Sequence, residues 1–181
     1  MARIISENPH VMAGGEHTPA NCSTRHNVAI IVPYRDRAAQ LAVFLRHIHP
    51  FLQRQDLHYR VYIINQVDQN LFNRAMLMNV GFAEAMKDFS WDCCIFHEDD
   101  RNLYTCPTQP RHMSVAVDKF KYKLPYKTIF GGVAALSVAH FRKLNGFSNQ
   151  FWGWGGEDDD MADRIISHNL TITRPSPDIA R

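Results

Sequence analysis

The stretch "VAIIVPYRDR", residues 28–37, joins an uninterrupted apolar run to a cluster of charges. The apolar part is rich in β-branched side chains and predicts a strand buried on both faces. Apolar residues then recur at intervals of three and four, which predicts a helix over 36–54 with a kink at Pro50. The stretch therefore starts a β-α unit, and its charges lie where the strand ends.

Two more apolar strands are predicted at 59–65 and 91–96, separated by a second helical pattern through 72–86. Strands that alternate with helices in this way are typical of a mostly parallel sheet, so we predict an α/β fold. A strand-like piece at 129–138 and a short helix near 138–145 follow. With 181 residues and no internal repeat, the chain is expected to form one core.

Charged residues follow two of the predicted strands, and in open α/β sheets ligands bind beyond the carboxyl ends of strands. Arg35 and Arg37 are suited to bind phosphate, or they are exposed charges at the start of a helix. Glu98, Asp99 and Asp100 would suit a divalent cation, or they form a charged turn. There is no GxGxxG or P-loop motif, so a dinucleotide or NTPase site is not predicted.

A second unusual stretch, "FWGWGGEDDDMADRI" (151–165), places four consecutive acids at the start of a helical pattern. The helix macrodipole favours acids in a first turn, which would explain them without any site. Successive helical residues point in different directions, however, so at least one carboxylate must face the glycine-rich segment. Crowding by like charges would raise the pKa of that carboxylate toward the range of a general base.

Composition limits the possible partners. The net charge is +2 with 45% hydrophobic residues and no basic run, so nucleic acid is not expected. No apolar segment is long enough to span a bilayer, so no membrane anchor is expected within this chain. The four cysteines match no zinc spacing, although a bridge from the Cys93/Cys94 pair to Cys106 would close a short loop. Asn-x-Ser/Thr triplets at Asn21 and Asn169 fit a secretory lumen, or they arise by chance.

Five segments together resemble the β-1,4-galactosyltransferase family, over about residues 14–174: "VAIIVPYRDR", "FNRAMLMNVGF", "QPRHMSVAVDKF", "FGGVAALS" and "NGFSNQFWGWGGEDDDMADR". The resemblance implies an inverting GT-A enzyme with a Rossmann-like sheet, a UDP-sugar donor and Mn²⁺. It also implies a type II membrane protein of the Golgi, whose anchor is absent from this chain. The N-terminal galactosyltransferase region, the nucleotide-binding half, is expected at 14–110, and the C-terminal region, the acceptor and catalytic half, at 111–181.

The resemblance also assigns roles to individual residues. The donor-binding residues are expected to be Pro33, Arg35, Arg37, Phe72, Arg74, Lys119, Ile129 and Trp154. Glu157, Asp158 and Asp159 match the catalytic and acceptor-binding acids, with Asp158 in the place of the base, and Tyr126 would offer its ring to an acceptor sugar. Cys93 matches the cysteine that pairs with Cys106, which would leave Cys94 on the opposite face of its strand.

Ile129 bears on the choice of donor. In the resembled family, the residue before "FGG" is tyrosine in galactose-transferring members and a smaller aliphatic residue in those that transfer N-acetylgalactosamine. Isoleucine would leave space for an N-acetyl group, although an isoleucine is also ordinary in a strand. We therefore expect transfer of GalNAc, in preference to Gal, from a UDP-sugar to a terminal GlcNAc of glycoprotein or glycolipid glycans.

The chain departs from the family pattern after the third strand. Members normally carry an Asp-x-Asp metal motif there, whereas here "CCIFH" runs directly into "EDDRNLYTC". The chain also stops before the family's downstream metal ligand, so its metal ligands are unknown and we expect a truncated or spliced member that binds Mn²⁺ and UDP-sugar weakly. Two alternatives stay open: an inactive member that binds glycan or a partner without turnover, and an acidic cation-binding module.

Overall fold

The computed structural model describes residues 6–97, 103–115 and 120–176. Lys119 and the three acids Glu98, Asp99 and Asp100 lie outside the described residues. The strands are β1 (Glu16–His17), β2 (Asn27–Tyr34), β3 (His58–Asn65), β4 (Cys93–Phe96), β5 (Arg111–His112) and β6 (Ala134–Ser137). The helices are α1 (Ala38–Gln53), α2 (Arg74–Asp88), α3 (Val138–Lys143) and α4 (Glu157–Ser167).

The strands form one open sheet in the order β1-β3-β2-β4-β6-β5. The two pairs at its centre, β2 with β3 and β2 with β4, are parallel, whereas the outer pairs are antiparallel. Ile30 lies opposite Val61 on one side and Ile95 on the other. The predicted α/β fold with a mostly parallel sheet is confirmed.

Alternate residues of β2 point into two separate cores, which explains its continuous apolar sequence. Val28 and Ile30 pack among α1 residues on one face of the sheet. Ala29 and Ile31 pack on the other face, against α2, α3 and α4. A strand covered on both faces has no solvent side and needs no polar alternation. Strand β2 thus lies at the centre of the fold.

Helix α1 contains Pro50 as predicted, and it continues for three residues beyond it. Helix α2 differs more from the prediction, because its expected apolar face included Val80 and Ala83, which are exposed. The residues that α2 buries are Ala75, Leu77, Met78, Gly81 and Ala85.

Gly81 explains this rotation of α2. A Cβ atom at position 81 would lie 2.5 Å from Ile31 and 2.9 Å from Ile64, so only glycine allows the helix to approach the sheet so closely. Close packing of this kind determines the buried face here more than the periodicity of large apolar residues does.

Cys93 and Cys106 are joined by a disulfide, and Cys94 is a free, buried thiol on the opposite face of β4. Burial raises the pKa of the Cys94 thiol to about 12, so this thiol is protonated and unreactive near neutral pH. Among the described residues, no helix combines the length and the apolar character that a bilayer crossing requires.

Candidate active site

A cavity of about 600 Å³ lies at the carboxyl end of β2, where the strand leads into α1. Its walls include Pro33, Arg35, Arg37, Phe44, Phe72 and His97. These residues come from the end of β2, from the β2–α1 connection, from α1 itself, from the segment before α2 and from the residue after β4. We call it the arginine cavity. Its volume suits a small-molecule ligand, and it lies where the strand-end rule places one.

Arg35 and Phe72 form a flat pair on the wall of the arginine cavity. The Arg35 guanidinium lies 5.4 Å from the centre of the Phe72 ring, within cation–π range. Its Nη1 also donates to the Asn70 carbonyl at 2.6 Å, which holds the guanidinium in place. The pair presents a π face and a delocalised cation, a combination that suits a heteroaromatic ring or a phosphate.

The amino end of α1 adds positive potential to the same cavity. The helix has no acid in its first turn, and the side chain of Arg37, the N-cap residue, makes no hydrogen bond to the first backbone N–H groups. The first backbone N–H groups of a helix have no partner within that helix, and they favour anions. Arg37 itself is exposed and makes no ion pair within the described ranges. Two arginines and an uncapped helix start give this wall positive potential, which the Asp36 carboxylate, also on the wall, partly offsets.

His97 is a wall residue that the sequence analysis missed. It is 2% exposed, and neither ring nitrogen has a hydrogen-bond partner in the described part of the chain. Its ring stacks on Tyr104 at 5.6 Å and tilts against Phe44 at 4.7 Å. Burial lowers the pKa of His97 to about 3, so the ring is neutral and offers one donor and one acceptor. Its position directly after β4 was the available signal.

The second part of the site is the acid turn, residues 157–160, at the start of α4. Glu157 is buried, and its Oε1 lies 3.1 Å from Arg74 Nη1, while Arg74 Nη2 donates to the Gly132 carbonyl at 2.9 Å. Asp160 is paired with Arg164 one turn later, at 2.6 Å. These two carboxylates therefore neutralise cations of the fold itself.

Asp159 accepts a hydrogen bond from the Tyr126 hydroxyl at 2.7 Å. The pKa of Tyr126 is raised to about 12, mainly by this bond to a carboxylate and to a smaller extent by burial. The Tyr126 ring remains 44% exposed, so one face of it is free to contact another molecule. The structure thus brings together two of the residues expected to bind the acceptor.

Asp158 is the one acid of the turn whose carboxylate has neither an ion pair nor a side-chain hydrogen bond among the described residues. Asp158 is half-buried, and its pKa is raised mainly by burial and also by the charges of Glu157 and Asp159. The carboxylate packs against Gly131, where a Cβ atom would lie 2.4 Å from Asp158 Oδ2. The first glycine of "FGG" is therefore required by the position of this carboxylate.

Two further residues that the sequence analysis missed hold Gly131 in place. The buried His112 ring donates from Nε2 to the Gly131 carbonyl at 2.8 Å and accepts at Nδ1 from Arg174 Nε at 3.2 Å. Burial lowers the pKa of His112 to about 4, which is consistent with this neutral tautomer. Arg174 also donates to the Ile129 carbonyl at 2.9 Å. Arg174 and His112 thus support the backbone against which Asp158 packs.

A short segment, residues 72–74, connects the two parts of the site. Phe72 lines the arginine cavity, and two residues later Arg74 holds Glu157 of the acid turn. The Phe72 carbonyl also accepts from the Gly153 N–H at 2.8 Å, which ties the tryptophan-containing loop before α4 to the cavity. The structure places the guanidinium of Arg74, one of the expected donor residues, against Glu157 and Gly132.

The structure does not place Trp154 or Ile129, two other expected donor residues, on the wall of the arginine cavity. Trp154 is 93% exposed and does not line the arginine cavity. Ile129 is buried next to the "FGG" segment, with its carbonyl bound by Arg174. Lys119 lies outside the described residues.

The described residues do not fit a manganese site. Within residues 6–97, 103–115 and 120–176, no group of three or more His, Cys, Asp or Glu side chains could hold a metal ion. In the acid turn, Arg74 and Arg164 already neutralise two carboxylates and Tyr126 binds a third. The candidate acids at 98–100 lie outside the described residues.

Comparison with known families gives two adjacent matches. Residues 1–107 match the family described as "N-terminal region of glycosyl transferase group 7". Residues 111–181 match the family described as "N-terminal domain of galactosyltransferase". Human beta-1,4-galactosyltransferase 2 is 50% identical over 188 residues, which cover 100% of this chain and 50% of that protein. Mouse beta-1,4-galactosyltransferase 5 is 50% identical over 184 residues, covering 98% of this chain and 47% of that protein. The chain therefore spans about half the length of these relatives.

Solved structures agree. The catalytic domain of Drosophila beta-1,4-galactosyltransferase 7 with xylobiose superposes with a TM-score of 0.74 at 38% identity, covering 83% of this chain and 65% of that one. A mutant of that enzyme, bound to manganese, UDP-Gal and xylobiose, gives 0.74 at 37% identity with the same coverage. A Pyrobaculum calidifontis mannosyltransferase with GDP-Man and Mn²⁺ gives 0.59 at 14% identity, covering 99% of this chain and 63% of that one, a likeness of fold alone. The expected GT-A fold is confirmed.

Proposed function

The chain belongs to the β-1,4-galactosyltransferase family, and from that premise we propose that it carries the donor and acceptor sites of an inverting glycosyltransferase. The reaction moves galactose, or GalNAc, from a UDP-sugar in β-1,4 linkage to a terminal GlcNAc of a glycan. One observation carries the proposal: segment 72–74 joins the arginine cavity to the acid turn, where Asp158 has neither an ion pair nor a hydrogen bond from another side chain among the described residues.

The arginine cavity is the proposed site of the nucleotide. Phe72 and Arg35 offer flat faces to a nucleobase, and the neutral, buried ring of His97 forms part of the wall behind them. Arg37 and the uncapped start of α1 would face the diphosphate, whose negative charge they attract. The Asn70 carbonyl and the Phe72 ring already hold Arg35, so binding requires little reorganisation of this pair.

Asp158 is the proposed general base. It takes the proton from the acceptor hydroxyl while that oxygen bonds to C1 of the donor sugar and the bond from C1 to the phosphate oxygen breaks. UDP leaves with the electron pair and needs no proton. The raised pKa of Asp158 brings it closer to the working pH, because burial and the charges of Glu157 and Asp159 outweigh the opposing charge of Arg74.

The acceptor is proposed to lie beside Tyr126 and Asp159. The exposed face of Tyr126 can stack on a sugar ring, and Asp159 fixes the orientation of the tyrosine through its hydroxyl. Trp154 is fully accessible on the adjacent loop, and that loop is tied to the cavity at Phe72. A ring between these aromatic groups would present a hydroxyl to Asp158.

The donor sugar is proposed to be GalNAc because of Ile129. A tyrosine hydroxyl at this position would occupy the space that an N-acetyl group needs, and isoleucine leaves that space open. The Ile129 carbonyl is held by Arg174, so a substitution there should alter the side chain without moving the backbone. Ile129→Tyr should shift the ratio of kcat/KM for UDP-GalNAc and UDP-Gal toward UDP-Gal; an unchanged ratio would contradict the donor assignment.

Manganese is proposed as the cofactor of the full-length protein, as expected for the family and as found with UDP-Gal in a related structure. Because the described residues offer no set of three ligands, none of the steps above is assigned to a metal. We further propose residence in the Golgi lumen, as for the family. The 181-residue chain alone is proposed to bind manganese and UDP-sugar weakly and to transfer little.

Release of UDP from a UDP-sugar, with and without a GlcNAc-terminated acceptor, tests the function directly. A longer form that spans the whole length of the relatives should release UDP only when donor and acceptor are both present, and the 181-residue chain should release much less. Acceptor-dependent, manganese-dependent turnover by the 181-residue chain at the rate of the longer form would contradict the proposed weakness. Glycan binding without any UDP release by the longer form would instead favour an inactive, glycan-binding member.

A further inference from the structure

The triplet Asn169-Leu170-Thr171 forms the turn that ends helix α4. Asn169 has a φ of 55°, in the left-handed region, and its N–H donates to the Ile166 carbonyl at 3.0 Å. The Leu170 N–H donates to the Ile165 carbonyl at 3.0 Å. Asparagine tolerates this backbone conformation better than most residues, so the helix stop alone accounts for Asn169. It does not account for threonine two residues later.

The side chains of this turn alternate between the core and solvent. Leu170 and Ile172 pack against the hydrophobic core that contains α4. Asn169 and Thr171 are exposed, and neither side chain makes a hydrogen bond within the described part of the chain. The Thr171 N–H is bound by the Gln109 side chain at 3.0 Å, which keeps the turn fixed while its two polar side chains stay free.

We propose that Asn169 is an N-glycosylation site, with Thr171 as the hydroxyl residue that the glycosylating enzyme recognises. The donor would be an oligosaccharide linked to a polyprenyl diphosphate. A bond forms between Asn169 Nδ2 and C1 of the first sugar, the bond from C1 to the diphosphate oxygen breaks, and the amide loses a proton to the enzyme's base. The site rests on passage through a secretory lumen, which the family implies, and it does not depend on the transferase activity of the chain.

The position of Asn169 is compatible with the proposed active site. The acid turn starts α4 and Asn169 follows its end, so the two lie about 16 Å apart along the helix at 1.5 Å per residue. A glycan at Asn169 would extend into solvent from the end of the helix that is remote from Asp158. It would add a large polar group to an exposed turn without covering the arginine cavity.

Two substitutions separate glycosylation from the helix stop. Asn169→Gly keeps a residue that accepts positive φ and removes the acceptor amide. Thr171→Ala keeps Asn169 and removes the recognised hydroxyl, whereas Thr171→Ser retains a hydroxyl and serves as the matched control. A residue that only ends the helix would be indifferent to both changes at position 171.

The test is expression of the 181-residue chain behind a cleavable signal sequence in eukaryotic cells, followed by digestion with an amidase specific for N-glycans. Asn21→Gln is introduced throughout, so that a remaining glycan belongs to position 169. The parent and Thr171→Ser should lose mass on digestion, with Asn169 converted to aspartate in the peptide map. Thr171→Ala and Asn169→Gly should be secreted without a glycan. An unmodified Asn169 in the parent, or a glycan that persists in Thr171→Ala, would overturn the proposal.

Discussion

The arginine cavity and the acid turn are held in place in different ways. Pro33, Arg35 and Arg37 come from one short stretch at the end of β2, and the cavity wall is set mainly by that strand and the start of α1. The acid turn is instead held by side chains distant in sequence, since Arg74 binds Glu157 and Tyr126 binds Asp159. The cavity therefore takes most of its wall from one stretch of sequence, with Phe72 and His97 added from other segments, whereas the acid turn depends on side chains distant in sequence.

This difference predicts which property each region controls. Substitutions in the cavity should weaken ligand binding and leave the stability of the fold nearly unchanged. Substitutions in the acid turn should affect the fold or the chemistry, depending on which carboxylate is altered.

Arg74→Met should have the largest effect, because it leaves the buried Glu157 carboxylate without its cation. Both side chains are 11% exposed, and the expected loss of unfolding free energy is about 3 kcal/mol, near the lower limit for breaking a buried ion pair. Chemical denaturation measures it. Asp160→Asn is the matched control in the same turn: its pair with Arg164 is nearly 30% exposed, so the loss should stay below about 1 kcal/mol. Equal losses would mean that the Arg74 pair does not hold the turn.

Asp158→Asn should reduce turnover by at least about 10²-fold, or about 2.7 kcal/mol, in a longer form of the protein that transfers sugar. Steady-state kinetics should show the loss in kcat, with the affinity for UDP nearly unchanged. An equal loss of UDP affinity would place Asp158 at the donor instead.

Asp158→Asn, which should lower turnover, should increase the stability of the fold at neutral pH. The folded pKa of Asp158 is raised above its unfolded value, so the stability that this group contributes at low pH is lost as pH rises through the folded pKa. At neutral pH the ionised carboxylate thus opposes folding, and Asp158→Asn should raise the Tm there. The increase in Tm should shrink as the pH is lowered.

Arg35→Ala should weaken UDP binding about tenfold, by removing one charge-assisted contact of about 1.4 kcal/mol, with little change in Tm. Chemical-shift perturbation in NMR measures the affinity even where binding is weak. Arg46→Ala, which removes an exposed arginine of α1 paired with Glu7, is the control and should leave UDP binding unchanged. Equal losses in both variants would indicate general charge attraction without a specific site.

The local part of this architecture could be predicted from the sequence. The apolar run at 28–33 and the periodicity after it determine strand β2 and helix α1, because both depend on neighbouring residues. The same reasoning placed Arg35 and Arg37 at the end of the strand, where the cavity lies. After β4 the same rule selected Glu98, Asp99 and Asp100 and passed over His97, the first residue beyond the strand.

The buried face of α2 and the contacts of the acid turn could not be predicted in this way. Gly81 carries no hydrophobic signal, yet it sets the helix rotation through its close approach to Ile31. Arg74 and Glu157 are 83 residues apart, and His112 and Arg174 are 62 residues apart. A local pattern contains no information about such pairs, so only the assembled structure could identify Asp158 as the acid without a partner.

Among the described residues, Asp158 is the acid of the turn with neither an ion pair nor a hydrogen bond from another side chain, and its raised pKa prepares it to accept a proton. Titration of the Asp158 side-chain carboxyl carbon by ¹³C NMR tests this in the 181-residue chain, without any need for turnover. We expect the Asp158 pKa to lie above the ordinary aspartate value of 3.8, raised mainly by burial and to a smaller extent by the charge of Glu157. In Glu157→Gln the Asp158 pKa should move back toward the ordinary value. An Asp158 that titrates at or below 3.8 in the parent chain would contradict the claim.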